Sequence, residues 1–151
     1  MKTLILYATK YGAAAKIAER IADEIDGAVV HDLNQDGIPD LAGFDCIIVG
    51  SSVYAGMFRK EAKAFLSQNS DVLRQKKLGL FISGMSPDNE NVFDVDSKQI
   101  AEATALLGGI FDPKKASFME RLVMKAVTKQ PVYTNTIDDD KIKRFVEEIL
   151  R

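Results

Sequence analysis

The sequence is poor in residues that carry nucleophilic and redox chemistry, with one cysteine, one histidine and no tryptophan among 151 residues. A single cysteine excludes an internal disulfide and suits a reducing compartment. It is Cys46, which lies in an apolar run and is predicted to be a small core residue rather than a catalytic thiol. The single histidine, His31, falls in or beside the second predicted strand, where a hydrogen-bonded strand-end histidine is expected. A Ser-His-Asp hydrolase site is therefore not predicted.

Long apolar runs and a large excess of either charge are also absent. No run approaches the roughly 20 residues that a membrane span needs, and the first strand follows Met1 too closely for a signal peptide. The net charge of −2 at pH 7 gives no reason to expect a nucleic-acid partner. The Cys, His and carboxylate residues do not have the spacing of a transition-metal site. These absences predict a cytoplasmic protein without a metal centre.

The pattern that is present alternates short apolar runs with amphipathic helical segments. With 46% hydrophobic residues, the chain is expected to form one domain over residues 1–151. This alternation predicts an α/β doubly wound fold with about five parallel strands and helices on both faces of the sheet. Residues 34–43 are predicted to form a turn or a single helical turn. Strands are predicted at 3–8, 28–33, 45–50, 78–83 and 109–111, and helices at 13–25, 60–69, 96–107 and 138–150.

Three loops are predicted at the carboxyl edge of this sheet, where doubly wound folds bind ligands. They cover residues 9–14, 51–58 and 83–93. The first must turn sharply near Gly12, between a buried strand and a helix. Free backbone N–H groups and the positive end of the helix dipole attract an anion at such a turn. The sequence therefore predicts a phosphate-binding loop after the first strand.

The composition of these loops selects among the ligands that this fold binds. A dinucleotide site would have glycines at G-x-G-x-x-G spacing, whereas the first loop has only Gly12. A phosphate-receiver domain would have acidic residues after the first strand and an aspartate after the third. The chain has Thr9 and Lys10 in the one place and Ser51 in the other. A hydroxyl-bearing first loop, with two further loops rich in serine, glycine and an aromatic residue, is typical of an FMN site.

Residues 5–12, followed by Ala18 and Ile21, resemble the phosphate-loop motif of flavodoxins position by position. The resemblance implies a flavodoxin-like sheet with strand order 2-1-3-4-5 and FMN as the cofactor. The second hydroxyl residue of the motif is replaced by Ala14, so one hydrogen bond to the phosphate is expected to be missing. FMN binding should then be weaker by about 0.5–1.5 kcal/mol, or by about 1.5–3 kcal/mol for a bond to a charged group. The residues implied in the phosphate loop are Thr9, Lys10, Tyr11, Gly12, Ala13 and Ala14.

Two further segments resemble the flavin loops of this family. In the first, Tyr54 is implied to stack on one face of the isoalloxazine, and Gly56 to change conformation when the flavin N5 gains a proton. Because the chain lacks the tryptophan that many flavodoxins place on the ring, one face of the flavin is expected to be open to a substrate. The residues implied to bind are Ser51, Ser52, Val53, Tyr54, Ala55 and Gly56 in the first flavin loop and Ser83, Gly84 and Met85 in the second.

Residues 113–131 form an insert that is net positive in an acidic protein. Its basic side chains are opposed by Glu120 alone, and the segment between Phe118 and Lys129 has the pattern of an amphipathic helix. Such a helix either packs on the body of the fold with its lysines in water, or contacts an anionic membrane or a partner. The basic residues are Lys114, Lys115, Arg121, Lys125 and Lys129.

The insert is also the part of the chain that discriminates between functions. Residues 118–125 and 132–135 resemble the corresponding region of menaquinone-dependent protoporphyrinogen oxidases, as do residues 1–6 and the positions of Gly50, Ser52, Tyr54 and Gly56. This resemblance implies an FMN-dependent oxidoreductase, cytoplasmic or peripheral to the inner face of the membrane, that oxidises a porphyrinogen and reduces a quinone.

Two other hypotheses stay open. The same loops suit a flavodoxin-type soluble electron carrier whose basic segment selects a redox partner protein. The other is a non-redox α/β binding module that has lost its flavin, for which Ala14 is the evidence. No catalytic acid or base is nominated for the oxidoreductase.

Overall fold

The computed structural model describes residues 1–54, 56–86, 92–115, 117, 122 and 133–151, and for Tyr54 it describes the backbone only. The helices are α1 (Ala13–Asp23), α2 (Lys60–Gln68), α3 (Ser70–Leu73), α4 (Val95–Ile100) and α5 (Asp139–Leu150), with a 3-10 turn at Leu41–Gly43. The strands are β1 (Thr3–Ala8), β2 (Val29–Asp32), β3 (Cys46–Tyr54), β4 (Met57–Phe58), β5 (Lys77–Ser83), β6 (Ala103–Leu106), β7 (Ile110–Phe111) and β8 (Thr134–Asn135).

Parallel strands form the central sheet in the order β2-β1-β3-β5-β6. The short strand β4 pairs antiparallel with the end of β3 and stands outside this order. When only the parallel strands are numbered, the order is 2-1-3-4-5. The predicted fold class is therefore confirmed, and the single turn expected within residues 34–43 is the 3-10 turn at Leu41–Gly43.

The last parallel strand is not the one that the sequence predicts. The helix predicted at 96–107 is wrong in its second half, because α4 ends at Ile100 and the chain continues as β6. The apolar spacing of this segment suits either structure. The segment forms a strand because it pairs in parallel with the edge of β5. This pairing begins where the Glu102 N–H donates to the Leu78 carbonyl at 2.8 Å.

The strand predicted at 109–111 is also misplaced. Its residues Ile110 and Phe111 form β7, which pairs antiparallel with β8 in a separate two-stranded ribbon. Phe111 lies opposite Thr134 in this ribbon, so the two ends of the intervening segment are held side by side. An isolated sequence run of two apolar residues does not specify its partner strand, which here is more than 20 residues away along the chain.

The sheet is buried on both faces, which explains its continuous apolar strands. In β1, Leu4 and Leu6 face a cluster that includes residues of α2 and α3, whereas Ile5 faces a cluster that includes residues of α1 and α5. These three side chains have no exposed surface. Burial of this kind contributes about 1.5–3 kcal/mol for each large aliphatic side chain.

Two glycines in the strands make room for side chains on the α1 and α5 face. A Cβ atom on Gly50 would lie 1.9 Å from Cζ of Phe81, its neighbour in the parallel ladder. A Cβ atom on Gly79 would lie 2.4 Å from Cδ1 of Ile149 in α5. The Phe81 ring that covers Gly50 packs edge-on against Phe145 of the same helix, with ring centroids 6.4 Å apart. The absence of side chains at these two positions therefore lets α5 and Phe81 sit close to the sheet.

We expect the change Gly50→Ala to destabilise the fold by about 3 kcal/mol, because the new methyl group and the Phe81 ring cannot occupy the same space. Urea unfolding measures this loss. Gly43→Ala is the matched control, since a Cβ at that position would meet no atom of the described residues within 4 Å beyond its chain neighbours, and its backbone is not left-handed. The double change Gly50→Ala with Phe81→Leu should be less destabilising than the sum of the two single changes; strict additivity would contradict the packing argument.

Candidate functional site

The first loop runs from the end of β1 to the start of α1 and contains residues 9–12. The Gly12 N–H donates to Oγ1 of Thr9 at 2.9 Å, which closes the loop on itself. Gly12 has a φ of 96°, in the left-handed region that glycine adopts at little cost. Lys10 is exposed, and its ammonium lies 5.1 Å from the centre of the Tyr11 ring. The loop therefore has one internal hydroxyl contact and an exposed basic side chain.

The amino end of α1 lacks the features that usually neutralise a helix end. No side chain caps Gly12, and no acidic residue lies in the first turn. The Lys16 N–H donates to the Gly12 carbonyl at 3.1 Å, so the N–H groups of Ala13, Ala14 and Ala15 lie ahead of the first intrahelical bond. In contrast, Asp138 caps α5, and two further aspartates follow in its first turn. The amino end of α1 is thus suited to an external anion.

Ala14, which replaces a hydroxyl residue of the flavodoxin motif, is fully buried. It belongs to the same core cluster as Ile5 and Ile17, and Ala13 next to it is only 8% exposed. The side chain at position 14 thus serves the packing of α1 on the sheet. Only its backbone N–H belongs to the helix end.

The second predicted loop is a hairpin rather than an open loop. β3 does not end at residue 50 but continues to Tyr54, and β4 pairs back on it with Val53 opposite Phe58. Gly56 has a φ of 73° in the turn. Ala55 and the side chain of Tyr54 lie outside the described residues, so the predicted stacking of Tyr54 stays a prediction. The apolar run ends at Val49, but β3 continues beyond it because β1 and β5 pair with its next residues and β4 pairs with Val53 and Tyr54.

The two serines of this hairpin have different environments. Ser51 is fully buried, and its hydroxyl donates to the Ser52 carbonyl at 2.9 Å and accepts from the Arg59 N–H at 3.0 Å. It therefore ties the two arms of the hairpin together. The Ser52 Oγ atom is buried and has no hydrogen-bond partner within the part of the chain that the structure describes. Its hydrogen-bonding capacity is available to a bound group.

The third loop begins at the end of β5, next to the hairpin. Ser83 is buried and lies opposite Ser52 in the ladder between β3 and β5. Gly84 follows it, and Met85 is 38% exposed. Residues 87–91 of the predicted loop lie outside the described residues. Beyond them, Phe93 packs edge-on against Phe58 of β4 with ring centroids 5.6 Å apart.

The three loops meet at one edge because their strands are neighbours. Ala8 lies opposite Ser51, and Ser52 lies opposite Ser83, so β1, β3 and β5 present their carboxyl ends side by side. This is the edge where doubly wound sheets bind ligands. Nearby, burial raises the pKa of Tyr7, with further contributions from Asp32 and Glu19, so its phenol stays protonated.

The other candidate reactive groups lie apart from these loops. His31 is in β2, with its Nε2 atom 3.2 Å from the Gln35 carbonyl oxygen, as expected for a strand-end histidine. Cys46 opens β3 at the opposite edge and has no exposed surface. Within the described residues, no group of three or more His, Cys, Asp and Glu side chains is arranged to hold a metal ion.

The predicted helix at 118–129 lies outside the described residues, apart from Leu122, which is 45% exposed. The structure therefore does not test its contact with a membrane or a partner. None of the helices in the described ranges is long and apolar enough to cross a membrane.

Comparison with known families agrees with this arrangement of strands and loops. Residues 4–137 match a family model described as a flavodoxin domain. The chain belongs to the flavodoxin domain family. The match runs from the second residue of β1 through β8 and includes all three loops of the flavodoxin domain described above.

Solved structures of other flavodoxin-domain proteins share the fold at low sequence identity. The flavodoxin of Streptococcus pneumoniae TIGR4 is 16% identical, with a TM-score of 0.60 and coverage of 99% of this chain and 98% of that one. Oxidised flavodoxin 1 of Bacillus cereus is 17% identical, with a TM-score of 0.59 and coverage of 99% and 97%. A flavoprotein from Lactobacillus acidophilus NCFM, solved in complex with FMN, is 21% identical, with a TM-score of 0.54 and coverage of 72% and 91%. A search of curated protein sequences finds no significant match.

One part of the edge of this flavodoxin domain was not predicted. Gly108 and Gly109 lie beside the third loop, where the Gly84 N–H donates to the Gly108 carbonyl at 3.0 Å. A pair of glycines in sequence indicates a turn. It does not indicate which loop the turn will contact, because that depends on the pairing of β6 with β5.

We expect Cys46 to be unreactive towards iodoacetamide at pH 8 in the folded protein and to be alkylated once urea unfolds it. The reason is its burial, which raises the pKa of the thiol to about 11. Mass spectrometry of the native and urea-treated protein checks this, and rapid alkylation of the native protein would contradict it.

The same pKa has a consequence for stability. Because the pKa of the thiol is raised from an ordinary value of about 9, the stability that the neutral thiol contributes is complete below that pH. It is lost as the pH rises through about 11. Between pH 8 and 11 the wild type should therefore lose more stability than Cys46→Ala, which has no thiol to ionise.

Proposed function

We propose that this chain is one FMN-binding domain of flavodoxin type that acts in electron transfer. The observation that carries the proposal is the uncapped amino end of α1 beside Thr9 and Gly12. One phosphate monoester suits this end, which has free amides but lacks the glycine pattern of a dinucleotide site. FMN, when bound, supplies the redox chemistry.

The residues of the phosphate loop fit this cofactor. Thr9 and the backbone N–H groups of Ala13, Ala14 and Ala15 would hold the phosphate at the turn made by Gly12, with Lys10 and Tyr11 at the rim. Apart from its neighbours in the chain, no atom of the described residues lies within 4 Å of the position where a Cβ would stand on Gly12, so the structure shows open space above the turn. Because the side chain of Ala14 is packed in the core, this residue would contribute its N–H alone.

The hairpin and the third loop would hold the flavin ring. Two observations support this role: the buried Ser52 hydroxyl, which has no partner among the described residues, and the left-handed turn at Gly56. A glycine at this φ can change its peptide orientation at little cost, which suits a residue that responds to the flavin's protonation state. The backbones of Gly84 and Met85 would line the opposite side. The proposed ring-binding residues are Ser51, Ser52, Val53, Tyr54, Ala55, Gly56, Ser83, Gly84 and Met85.

A second candidate function is the oxidation of a porphyrinogen with a quinone as acceptor. It is supported by the sequence resemblance of residues 118–125 and 132–135, and by the lack of tryptophan to cover the flavin. Under this proposal the basic insert would contact the acceptor or the inner face of the membrane. Under the carrier hypothesis it would select a redox partner protein, and the protein would act in the cytoplasm.

We expect the protein to bind FMN and to bind riboflavin much more weakly, since riboflavin lacks the phosphate. Thr9→Val should weaken FMN binding roughly 10- to 150-fold, the range for loss of a hydrogen bond to a charged group. The same change should affect riboflavin far less. Fluorescence titration of the flavin-free protein measures all of these affinities.

Thr9→Ser is the matched control, because it keeps the hydroxyl that the Gly12 N–H contacts. Its FMN affinity should stay within a few-fold of the wild type. Equal affinity for FMN and riboflavin would remove the phosphate-loop argument. If FMN is added, the unbound FMN is removed and the protein shows no flavin spectrum, the result would favour the binding module that has lost its flavin.

The oxidase hypothesis predicts that the FMN-loaded protein, mixed anaerobically with protoporphyrinogen IX and a menaquinone analogue, produces porphyrin fluorescence. The rate should exceed that of free FMN at the same concentration. If porphyrin fluorescence rises no faster than in this control, the oxidase hypothesis is contradicted and the electron-carrier hypothesis remains. This conclusion requires that dithionite reduces the bound FMN and that the quinone reoxidises it.

A further inference from the structure

The glycine pair Gly108–Gly109 lies between two parts of the chain that are distant in sequence. On one side is the third loop, with Gly84 and Met85. On the other is Thr136, at the start of the segment that leads from β8 to α5. Each of the two glycines lies against Gly84 at the edge of the site and against Thr136 at the base of the β7–β8 ribbon.

On the loop side, the glycine pair extends the sheet past β6. The Leu107 N–H donates to the Ile82 carbonyl at 3.1 Å, and the Gly84 N–H donates to the Gly108 carbonyl at 3.0 Å. These bonds continue the parallel pairing of β5 and β6 by two residues. Gly84 is therefore held by Gly108 at the point where the chain leaves the ladder.

Gly109 also lies against this loop. A Cβ atom on Gly109 would lie 3.2 Å from the carbonyl carbon of Gly84 and 3.2 Å from Cγ of Met85. Both distances are shorter than ordinary van der Waals contact. A larger residue at position 109 would therefore push the loop by a few tenths of an ångström.

On the ribbon side, Thr136 holds Gly109 from its backbone and its side chain. The Gly109 N–H donates to Oγ1 of Thr136 at 3.0 Å, and the Thr136 N–H donates to the Gly109 carbonyl at 2.8 Å. A Cβ atom on Gly108 would lie 2.0 Å from the Thr136 carbonyl oxygen, and Gly108 has a φ of 92°. A larger residue therefore does not fit at position 108, whereas position 109 is tight but not closed.

We infer that Gly108 and Gly109 are positioning residues for the FMN site, which set where Gly84 and Met85 lie against the flavin. The inference rests on the proposed function, in which Gly84 and Met85 contact the flavin. It adds that the placement of this loop depends on Thr136 and on the ribbon at the base of the 112–133 segment. The geometry of the cofactor edge is therefore determined in part by residues more than 20 positions away from it in sequence.

Gly109→Ala is the sharpest test, since Gly109 does not have a left-handed φ and the substitution acts through contact alone. In the FMN-free protein, the amide NMR signals of Gly84 and Met85 should shift, while the urea midpoint stays near that of the wild type. FMN affinity should fall about three- to tenfold, the factor that corresponds to one weakened hydrogen bond, and the visible flavin spectrum should change. Gly43→Ala, with open space around it, is the control and should alter none of these.

A second pair of variants guards against a folding defect in Gly109→Ala. Thr136→Val removes the hydroxyl that accepts from Gly109 and should shift the same amide signals, whereas Thr136→Ser keeps the hydroxyl and should restore them. Unchanged Gly84 and Met85 signals in both Gly109→Ala and Thr136→Val would overturn the inference. Shifted signals with unchanged FMN affinity would also overturn it. A wild-type protein that binds no FMN would instead refute the proposed function, and with it the role of the glycine pair at a flavin site, even if the signals shift.

Discussion

The turn at Gly12 is the constraint on which the candidate site depends. β1 is buried on both faces, so packing in the core fixes the position of Ala8 at the carboxyl edge of the sheet. α1 is fixed in turn by Ile17 and Ile21, which have no exposed surface. The connection between these elements passes through a φ of 96° at Gly12, which glycine adopts without the steric cost that other residues meet. The free amides at the start of α1 thus open towards the sheet edge as a consequence of core packing.

The rest of the carboxyl edge of the sheet is formed by β3 and β5, whose pairing and hydrogen bonds continue past the apolar core. Ser51 uses its hydroxyl to close the hairpin on Arg59, while Ser52 and Ser83 lie opposite each other in the next ladder. Gly84 is held from the far side by Gly108. The hairpin and the third loop are therefore each anchored by a hydrogen bond beyond their own strand.

A part of the chain could be predicted from sequence when its structure depends on neighbouring residues, and could not when it depends on pairing with a distant strand. Residues 3–8 and the helix after them were predicted nearly to the residue, because a strand buried on both faces and a helix with one apolar face have different periodicities. The segment after Ile100 was not, since its apolar spacing fits a helix and a strand alike. The hairpin after residue 50 was missed for a related reason, because β4 is only two residues long and acquires its structure by pairing.

By itself, the sequence determined the parallel α/β fold, the family and the place of the turn between β1 and α1. All of these depend on local patterns: continuous apolar runs, one glycine at the turn, and a helix that begins without an acidic first turn. Only the tertiary structure decided which segment forms the last parallel strand and that Gly108 and Gly109 support the third loop. These features depend on contacts between residues distant in sequence, where a free sheet edge or the space above a glycine determines the outcome and local propensity does not.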